Sequence, residues 1–276
     1  SLCNDGDRIQ KVLINNKDEL SCLTMSYDKQ YLITAIGCVN RERYAAIMLY
    51  ETKTFSLYKK LNFHSKGVQC VKVSNNGYYM VSIGVKEEKS ICVWNFTNLT
   101  VIDSKSVNNF ANPIFDVVIC ENANSYITNT NLYFVTACSD MISCWRMDNT
   151  NYKLEGVNLK YKSIVNEAPI TGEAFTAIAV VANNTHSFKN ETTTNNNNSM
   201  WFYLVGTNKG NIYIIDKQHL YRKLMISKFP LTHLCYCEDT FICCGEGLIV
   251  FHWNVPQVGH NSGVHPFSFF ESQKPN

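Results

Sequence analysis

The residues with the clearest potential for chemistry lie near the end of the chain, where histidine and cysteine alternate along one predicted strand. His233, Cys235 and Cys237 would share one face of that strand, because side chains in a strand repeat every second residue. Cys243 and Cys244 follow in the next predicted strand. Zinc sites usually place two to four residues between paired cysteines on a turn, so that both thiolates can converge. Cys-x-Cys on a regular strand separates the thiolates, which favours a packed core of small residues over a zinc site.

Motifs of catalysis do not accompany these residues. The sequence has no Gly-x-Ser-x-Gly elbow, no His-Glu-x-x-His, no phosphate loop and no dinucleotide fingerprint. Residues 206–210 are rich in glycine, but they predict a hairpin turn, since no helical pattern follows them as a phosphate loop requires. We therefore predict neither an enzyme nor a cofactor.

The composition predicts a folded domain without a special affinity for nucleic acid or membranes. The chain has 276 residues, 45% of them hydrophobic, and a formal net charge of +2. No apolar run approaches the roughly 20 residues of a membrane span. The 12 cysteines fall largely at strand positions, where they would act as small buried hydrophobes, and this favours reduced thiols in the cytosol. Because the first residue is Ser1 and not methionine, we expect a piece of a longer protein.

Short strands that recur in groups would position all of these residues. Residues 68–95 contain three such strands, with a tight-turn signal at residues 75–77 and Trp94 near the end. Residues 20–51 repeat this design and end with Tyr50 in place of the tryptophan. Further groups follow at roughly the 40- to 50-residue period of propeller blades. The sequence therefore predicts an all-β WD-repeat β-propeller with about five visible four-stranded blades.

The predicted organisation divides the chain into a lead and five blades. The blades are residues 19–67, 68–113, 114–174, 175–229 and 230–276, the last of which includes a tail. Residues 1–18 are predicted as a polar lead with one stray strand at 8–15, which either belongs to an earlier blade or completes the last one. Five blades are few for a WD-type ring, so we expect part of a larger ring; a closed five-bladed ring is the alternative. The Asn-rich residues 183–199 predict a disordered insert in the fourth blade.

Several polar and aromatic side chains are predicted to hold the blades together. His64 takes the position of the WD-repeat histidine that bonds through an aspartate toward the tryptophan of its blade. The aspartate is missing here, and the loop contains Lys86, Glu87 and Glu88 instead. We expect His64 either to connect the strands of its blade through hydrogen bonds or to lie on the surface, since the sequence provides no catalytic partner for it. Thr136, Asp140 and Trp145 resemble three of the four members of the same network. The complete predicted structural set is Tyr50, His64, Trp94, Thr136, Asp140, Trp145 and Trp253.

A more specific likeness is carried by the succession of segments along the chain. These segments are residues 19–26, 31–37, 77–84, 202–212 and 244–251, with a long loop after residue 37 and a Gly-x-Gly-Leu at 245–248. In this succession the chain resembles the cilia- and flagella-associated WD-repeat proteins of doublet microtubules, which are related to the echinoderm microtubule-associated protein-like family.

This resemblance implies a non-catalytic scaffold in the cytoplasm, at the cilium, flagellum or cytoskeleton. It implies protein partners, either tubulin or other axonemal proteins, and neither nucleic acid nor membrane. The alternative is a general WD-repeat adaptor in another cytoplasmic complex. A scaffold would make its contacts through loops, but the charges there could equally be a solvated surface. The candidate contact residues are Arg41, Glu42, Arg43, Lys86, Glu87, Glu88 and Lys89.

Overall fold

Every regular element that the structure describes is a β-strand, which confirms the predicted all-β fold class. The structure is a computed structural model. It describes residues 2–5, 8–11, 19–38, 44–108, 110–120, 131–160, 172–182, 201–216, 219–237, 240–245 and 250–254. Within these residues there is no helix of the length and apolarity needed to cross a membrane.

The strands form four sheets of four strands, one of three and one of two. Blade 1 contains β3 (Leu20–Met25), β4 (Tyr31–Ile36), β5 (Ala46–Glu51) and β6 (Leu57–Asn62); blade 2 contains β7 (Val68–Val73), β8 (Tyr79–Gly84), β9 (Ser90–Asn95) and β10 (Thr100–Ser106). Blade 3 contains β11 (Ile114–Cys120), β12 (Leu132–Cys138), β13 (Met141–Met147) and β14 (Leu154–Lys160); blade 4 contains β15 (Phe175–Ala182), β16 (Trp201–Thr207), β17 (Asn211–Asp216) and β18 (His219–Met225). Blade 5 contains β19 (Leu231–Cys237), β20 (Thr240–Gly245) and β21 (Val250–Asn254).

The start of the chain differs from the prediction. A two-stranded antiparallel sheet pairs β1 (Leu2–Asp5) with β2 (Arg8–Lys11), so the predicted polar lead contributes a strand of its own. The stray strand expected at residues 8–15 is therefore half of a hairpin. Its sequence signal is Gly6-Asp7, the dipeptide between the two strands, because Gly-Asp favours two-residue hairpin turns.

In the last blade, the described residues contain three strands. The tail after residue 254 lies outside the described residues, as does the Asn-rich insert at residues 183–199. The number of blades in the complete ring stays a prediction.

The blades share one irregularity, which allows their positions to be compared. In each of the five, the first strand has a register shift directly after its first residue, for example between Val68 and Cys70 in β7. Such a β-bulge bends the strand and increases its twist. Pairing with the second strand then makes Leu23 in β3 equivalent to Val71 in β7, since Leu23 pairs with Thr34 and Val71 with Ser82.

Burial follows the order of the strands within a blade. The second strands β4 and β8 are mostly buried, whereas the fourth strands β6 and β10 are mostly exposed. The chain separates into two compact units, Ser1–Phe110 and Ala111–Asn276. In the first unit, β3 and β4 pack against β7. In the second unit, β11 and β12 pack against β15, and β15 and β16 pack against β19.

Candidate protein-interaction site

The predicted blade histidine lies at the centre of a hydrogen-bonded cluster in blade 2. His64 is fully buried, which excludes the surface alternative. Its Nε2 lies 2.8 Å from Ser82 Oγ, and Trp94 Nε1 donates to the same oxygen at 2.9 Å. The two bonds are compatible when the Ser82 hydroxyl donates to His64 and accepts from the indole, since an indole N–H can only donate. Ser82 therefore links the histidine to the tryptophan of the blade.

Glu88 takes the place of the aspartate that the sequence lacks. Its Oε1 accepts from His64 Nδ1 at 2.7 Å and from Ser90 Oγ at 2.8 Å, while its Oε2 accepts from the Lys66 backbone N–H at 2.8 Å. Burial works to raise the pKa of Glu88, but these hydrogen bonds and the nearby imidazole lower it to about 2. Sequence reasoning assigned Glu88 to partner contact, whereas its carboxylate is engaged inside its own blade.

The remaining charges of the same loop are more accessible. The loop joins β8 to β9, and it turns through two hydrogen bonds to the Val85 carbonyl, from the N–H groups of Glu88 and Lys89. Lys86 and Glu87 are exposed, whereas Lys89 is partly buried and has a φ of 52°. The other predicted contact residues, Arg41, Glu42 and Arg43, lie outside the described residues.

In blade 3 the corresponding side chains take part in two separate hydrogen bonds. Trp145 Nε1 donates to Thr136 Oγ1 at 2.9 Å, in a buried bond that matches the one between Trp94 and Ser82. Asp140 is exposed, and it accepts from Asn112 Nδ2 at 3.0 Å. The indole of Trp145 lies over Gly156, which pairs with it across β13 and β14. A β-carbon at residue 156 would lie 2.5 Å from the indole ring, so only glycine leaves room for this packing.

Blade 1 has the strand positions of the cluster without its hydrogen bonds. Thr34 is equivalent to Ser82, and its buried hydroxyl has no hydrogen-bond partner among the described residues. Tyr50, which replaces the tryptophan, is buried and directs its hydroxyl to Met48 Sδ at 3.5 Å. A thioether is a weak acceptor, so this contact adds little to the packing.

Blade 4 contains a buried carboxylate that sequence reasoning missed. Glu173 precedes β15 and accepts from Thr207 Oγ1 at 2.9 Å, from Asn211 Nδ2 at 2.7 Å and from Tyr213 Oη at 3.0 Å. Three donors compensate the loss of hydration that a buried carboxylate suffers. The sequence signal was present only as an isolated Glu before a strand, with no motif around it.

The predicted cluster of histidine and cysteine does not converge. His233 and Cys235 are exposed on one face of β19, whereas Cys243 of β20 is buried on the other face, opposite Leu234. The predicted packed core is therefore correct for Cys243 and wrong for Cys235. Within the described residues, no three histidine, cysteine, aspartate or glutamate side chains are grouped to hold a metal ion. Trp253 lies in β21 and pairs with Phe241, while its side chain lies outside the described set.

Buried thiols elsewhere are poor nucleophiles. The structure describes the side chains of ten of the 12 cysteines, and all ten are free thiols. Burial raises the pKa of Cys92, and it raises that of Cys138 to about 12. Because the thiolate is the reactive form, thiols with raised pKa values remain inert at neutral pH.

A groove of about 400 Å³ lies in the first unit, at the opposite end of β8 from the charged loop. We call it the aromatic groove, and its defining residues are Tyr27, Asp28, Tyr31, Tyr58, Tyr78 and Phe96. They come from the β3–β4 turn, the start of β4, strand β6, the β7–β8 turn and the turn after β9. Both blades of the unit thus contribute to one concave surface, within the volume range of ligand pockets.

In the aromatic groove, the Tyr31 ring contacts two other rings. The ring centroids of Tyr31 and Tyr58 are 4.9 Å apart, and those of Tyr31 and Phe96 are 6.4 Å apart with nearly perpendicular planes. Tyr58 is the extra residue of a bulge in β6, between the paired residues Leu57 and Lys59. Bulges re-aim side chains, which explains how an outer strand supplies a ring to this surface.

The environment of Tyr31 is electrically negative. Burial raises the pKa of its hydroxyl, and the neighbouring Tyr58, Glu51 and Asp28 raise this pKa further. The groove lining contains one carboxylate, from Asp28, and no lysine, arginine or histidine among the described residues. The surface therefore combines aromatic faces with one carboxylate.

Comparison with known proteins gives consistent relatives for the sequence. The chain is 22% identical over 211 residues to cilia- and flagella-associated protein 52 of Chlamydomonas reinhardtii, covering 74% of this chain and 31% of that protein. It is 27% identical over 151 residues to the protein of that name from Homo sapiens, covering 52% and 22%, and 24% identical over 258 residues to that from Bos taurus, covering 88% and 35%. No protein-family model matches the chain.

Among solved structures, the β-propeller domain of Cps50 (Swd1) from Myceliophteria thermophila is similar in fold. The TM-score is 0.65 at 16% sequence identity, and the match covers 93% of this chain and 72% of that one. This chain has the fold of WD-repeat β-propeller blades and is similar in sequence to cilia- and flagella-associated protein 52. The resemblance predicted from the sequence is thereby confirmed, and so is the predicted fold class. The chain spans about a third or less of the length of these curated relatives.

Proposed function

We propose that this WD-repeat chain is part of a non-catalytic scaffold that acts in the cytoplasm, at the microtubules of cilia or flagella. The observation that carries the proposal is the similarity to cilia- and flagella-associated protein 52, which recurs in several organisms and reaches 88% of this chain. The fold supports it, because stacked sheets hold the connecting loops on a rigid base where a partner protein can bind them.

The buried and partly buried ionisable groups are hydrogen-bonded within the protein or kept protonated, which supports a role without catalysis. Glu88 and Glu173 accept hydrogen bonds from side chains of their own blades or of the preceding connections, and these bonds stabilise the sheets. Cys92 and Cys138 have raised pKa values that keep their thiols protonated. These groups thus have structural uses.

The partners under this proposal are tubulin or another axonemal protein. The exposed Lys86 and Glu87, at the end of the β8–β9 hairpin, form the described part of the contact surface, with Lys89 beside them. Arg41, Glu42 and Arg43 lie between β4 and β5 in the sequence, as Lys86 and Glu87 lie between β8 and β9, and they remain candidate contact residues outside the described set.

Microtubule co-sedimentation of the full-length protein tests the proposal. We expect the protein to pellet with microtubules, and Lys86→Glu to weaken this binding about two- to fivefold, as a reversed charge at an exposed contact would. Lys53→Glu is the matched control, because Lys53 is equally exposed but lies in the β5–β6 turn. Failure to pellet, together with a location away from cilia in cells, would contradict the proposal and favour the general cytoplasmic adaptor.

A further inference from the structure

We propose that the aromatic groove binds a basic side chain, arginine or lysine, presented by a partner protein. This inference rests on the proposed scaffold function, since it assigns a partner chemistry to a second surface of the same unit. That surface lies at the opposite strand ends from the charged loop, so it can be tested separately.

The charge of the lining selects a cation. An aromatic ring has a negative face, and a guanidinium or ammonium within about 6 Å of its centroid is attracted to it. Tyr31, Tyr58 and Phe96 supply such rings, and Asp28 supplies a carboxylate beside them. The absence of lysine, arginine and histidine among the described lining residues leaves this negative charge without a cation of the groove itself.

The size and position of the groove select a side chain of a protein. A volume of about 400 Å³ accommodates a few side chains and not a folded element. Its rim includes the β3–β4 turn and strand β6, from which Tyr27 and Tyr58, both about half exposed, can contact a chain that approaches from outside. Tyrosine is enriched at protein interfaces because it is large, rigid and amphipathic.

The two turns at the rim provide an internal control for the charge. Asp28 Oδ1 accepts from Ser26 Oγ at 2.6 Å and from the Gln30 N–H at 3.0 Å. In the β7–β8 turn, Asn76 Oδ1 accepts from Ser74 Oγ at 2.6 Å and from the Tyr78 N–H at 3.0 Å. The turns are therefore equivalent in their hydrogen bonds and differ in charge. Asp28→Asn removes the charge while keeping a turn that the chain already forms with asparagine.

The decisive measurement is an NMR titration of the tyrosine ring signals of the 276-residue chain at low salt. The probe is a blocked peptide Gly-Gly-Arg-Gly-Gly, and the matched control replaces arginine by citrulline, which has the same shape without the charge. We expect the arginine peptide to bind with millimolar affinity and the citrulline peptide at least about threefold more weakly. Equal binding of the two peptides, or no binding of either, would overturn the inference.

Variants then assign the binding to the groove. Asp28→Asn should weaken the arginine peptide about two- to fivefold, and the added Asn76→Asp should restore the affinity. Tyr58→Ala should abolish measurable binding and Tyr58→Phe should retain it, whereas Tyr152→Ala, an equally exposed tyrosine in blade 3, should have no effect. Unchanged affinity in Asp28→Asn would refute the role of the carboxylate.

The result is distinguishable from that of the microtubule assay. A protein that pellets with microtubules but ignores the arginine peptide would refute only the groove. A protein that binds the peptide through Asp28 and does not pellet would refute only the microtubule scaffold.

Discussion

Blades 1 and 2 have the same number of strands, the same bulge after the first residue and the same type of turn, yet among the described residues the hydrogen-bonded central cluster is found in blade 2 and not in blade 1. In blade 2 the Ser82 hydroxyl connects His64 to Trp94. In blade 1 the equivalent Thr34 hydroxyl has no partner within the described part of the chain, and Tyr50 replaces the tryptophan. Apolar packing is therefore sufficient to form a blade, and the hydrogen-bonded cluster adds stability and a defined loop position.

The same two blades also differ in how exposed one face of the first strand is. Val71 is 2% exposed, and its equivalents in the second unit, Val117, Ile178 and Leu234, are 0%, 1% and 9% exposed. Leu23 in blade 1 is 66% exposed. In blade 2 the preceding sheet covers this position, because β3 and β4 pack on β7. Three predictions follow from these two differences, in decreasing order of effect.

The largest effect is expected for a charge on the face of the first strand. Val71→Asp should destabilise the first unit by about 4 kcal/mol or more, because it buries a carboxylate without donors. Leu23→Asp should change the free energy of unfolding by less than about 1 kcal/mol, since water reaches that position. Urea denaturation measures both variants, and equal destabilisation would contradict the comparison.

An intermediate effect is expected for the hydroxyl at the blade centre. Ser82→Ala should destabilise by about 2 to 3 kcal/mol, because it leaves His64 Nε2 and Trp94 Nε1 buried without their partner. Thr34→Val, at the equivalent position, replaces an unsatisfied hydroxyl by a methyl group in a side chain of similar shape. It should stabilise the protein by about 1 kcal/mol. Thermal unfolding measures the two shifts, and shifts of the same sign would show that the clusters are not different.

The smallest effect is expected from acid. The pKa of Glu88 is lowered from 4.5 to about 2 in the folded protein. Its contribution to stability is therefore complete above pH 4.5, and it is lost as the pH falls toward 2. We expect about 1 kcal/mol for this partly exposed carboxylate, measured as the pH dependence of unfolding. Glu88→Gln should flatten that dependence, and the exposed neighbour Glu87→Gln should not.

The elements that the sequence predicted well have local causes. Gly77 has a φ of 72°, so the turn signal at residues 75–77 reports directly on a hairpin. Trp94 and Trp145 lie in third strands and donate to a hydroxyl of the second strand, and this pairing depends on a fixed register.

The features that the sequence did not predict depend on contacts between distant segments. Glu87 and Glu88 look alike in the sequence, and only the folded loop directs one of them to His64, 24 residues away. Glu173 binds groups at least 34 residues away, and the aromatic groove combines turns of two sheets. The exposure of Cys235 has a similar origin, because it depends on which face of β19 another sheet covers.

The contact between Trp145 and Gly156 restricts the order in which this sequence can evolve. A side chain at residue 156 would overlap the indole, whereas loss of the indole would leave residue 156 unconstrained by it. A lineage can therefore gain a side chain at 156 only after Trp145 has been replaced by something smaller, and the reverse order passes through a protein that misfolds in blade 3.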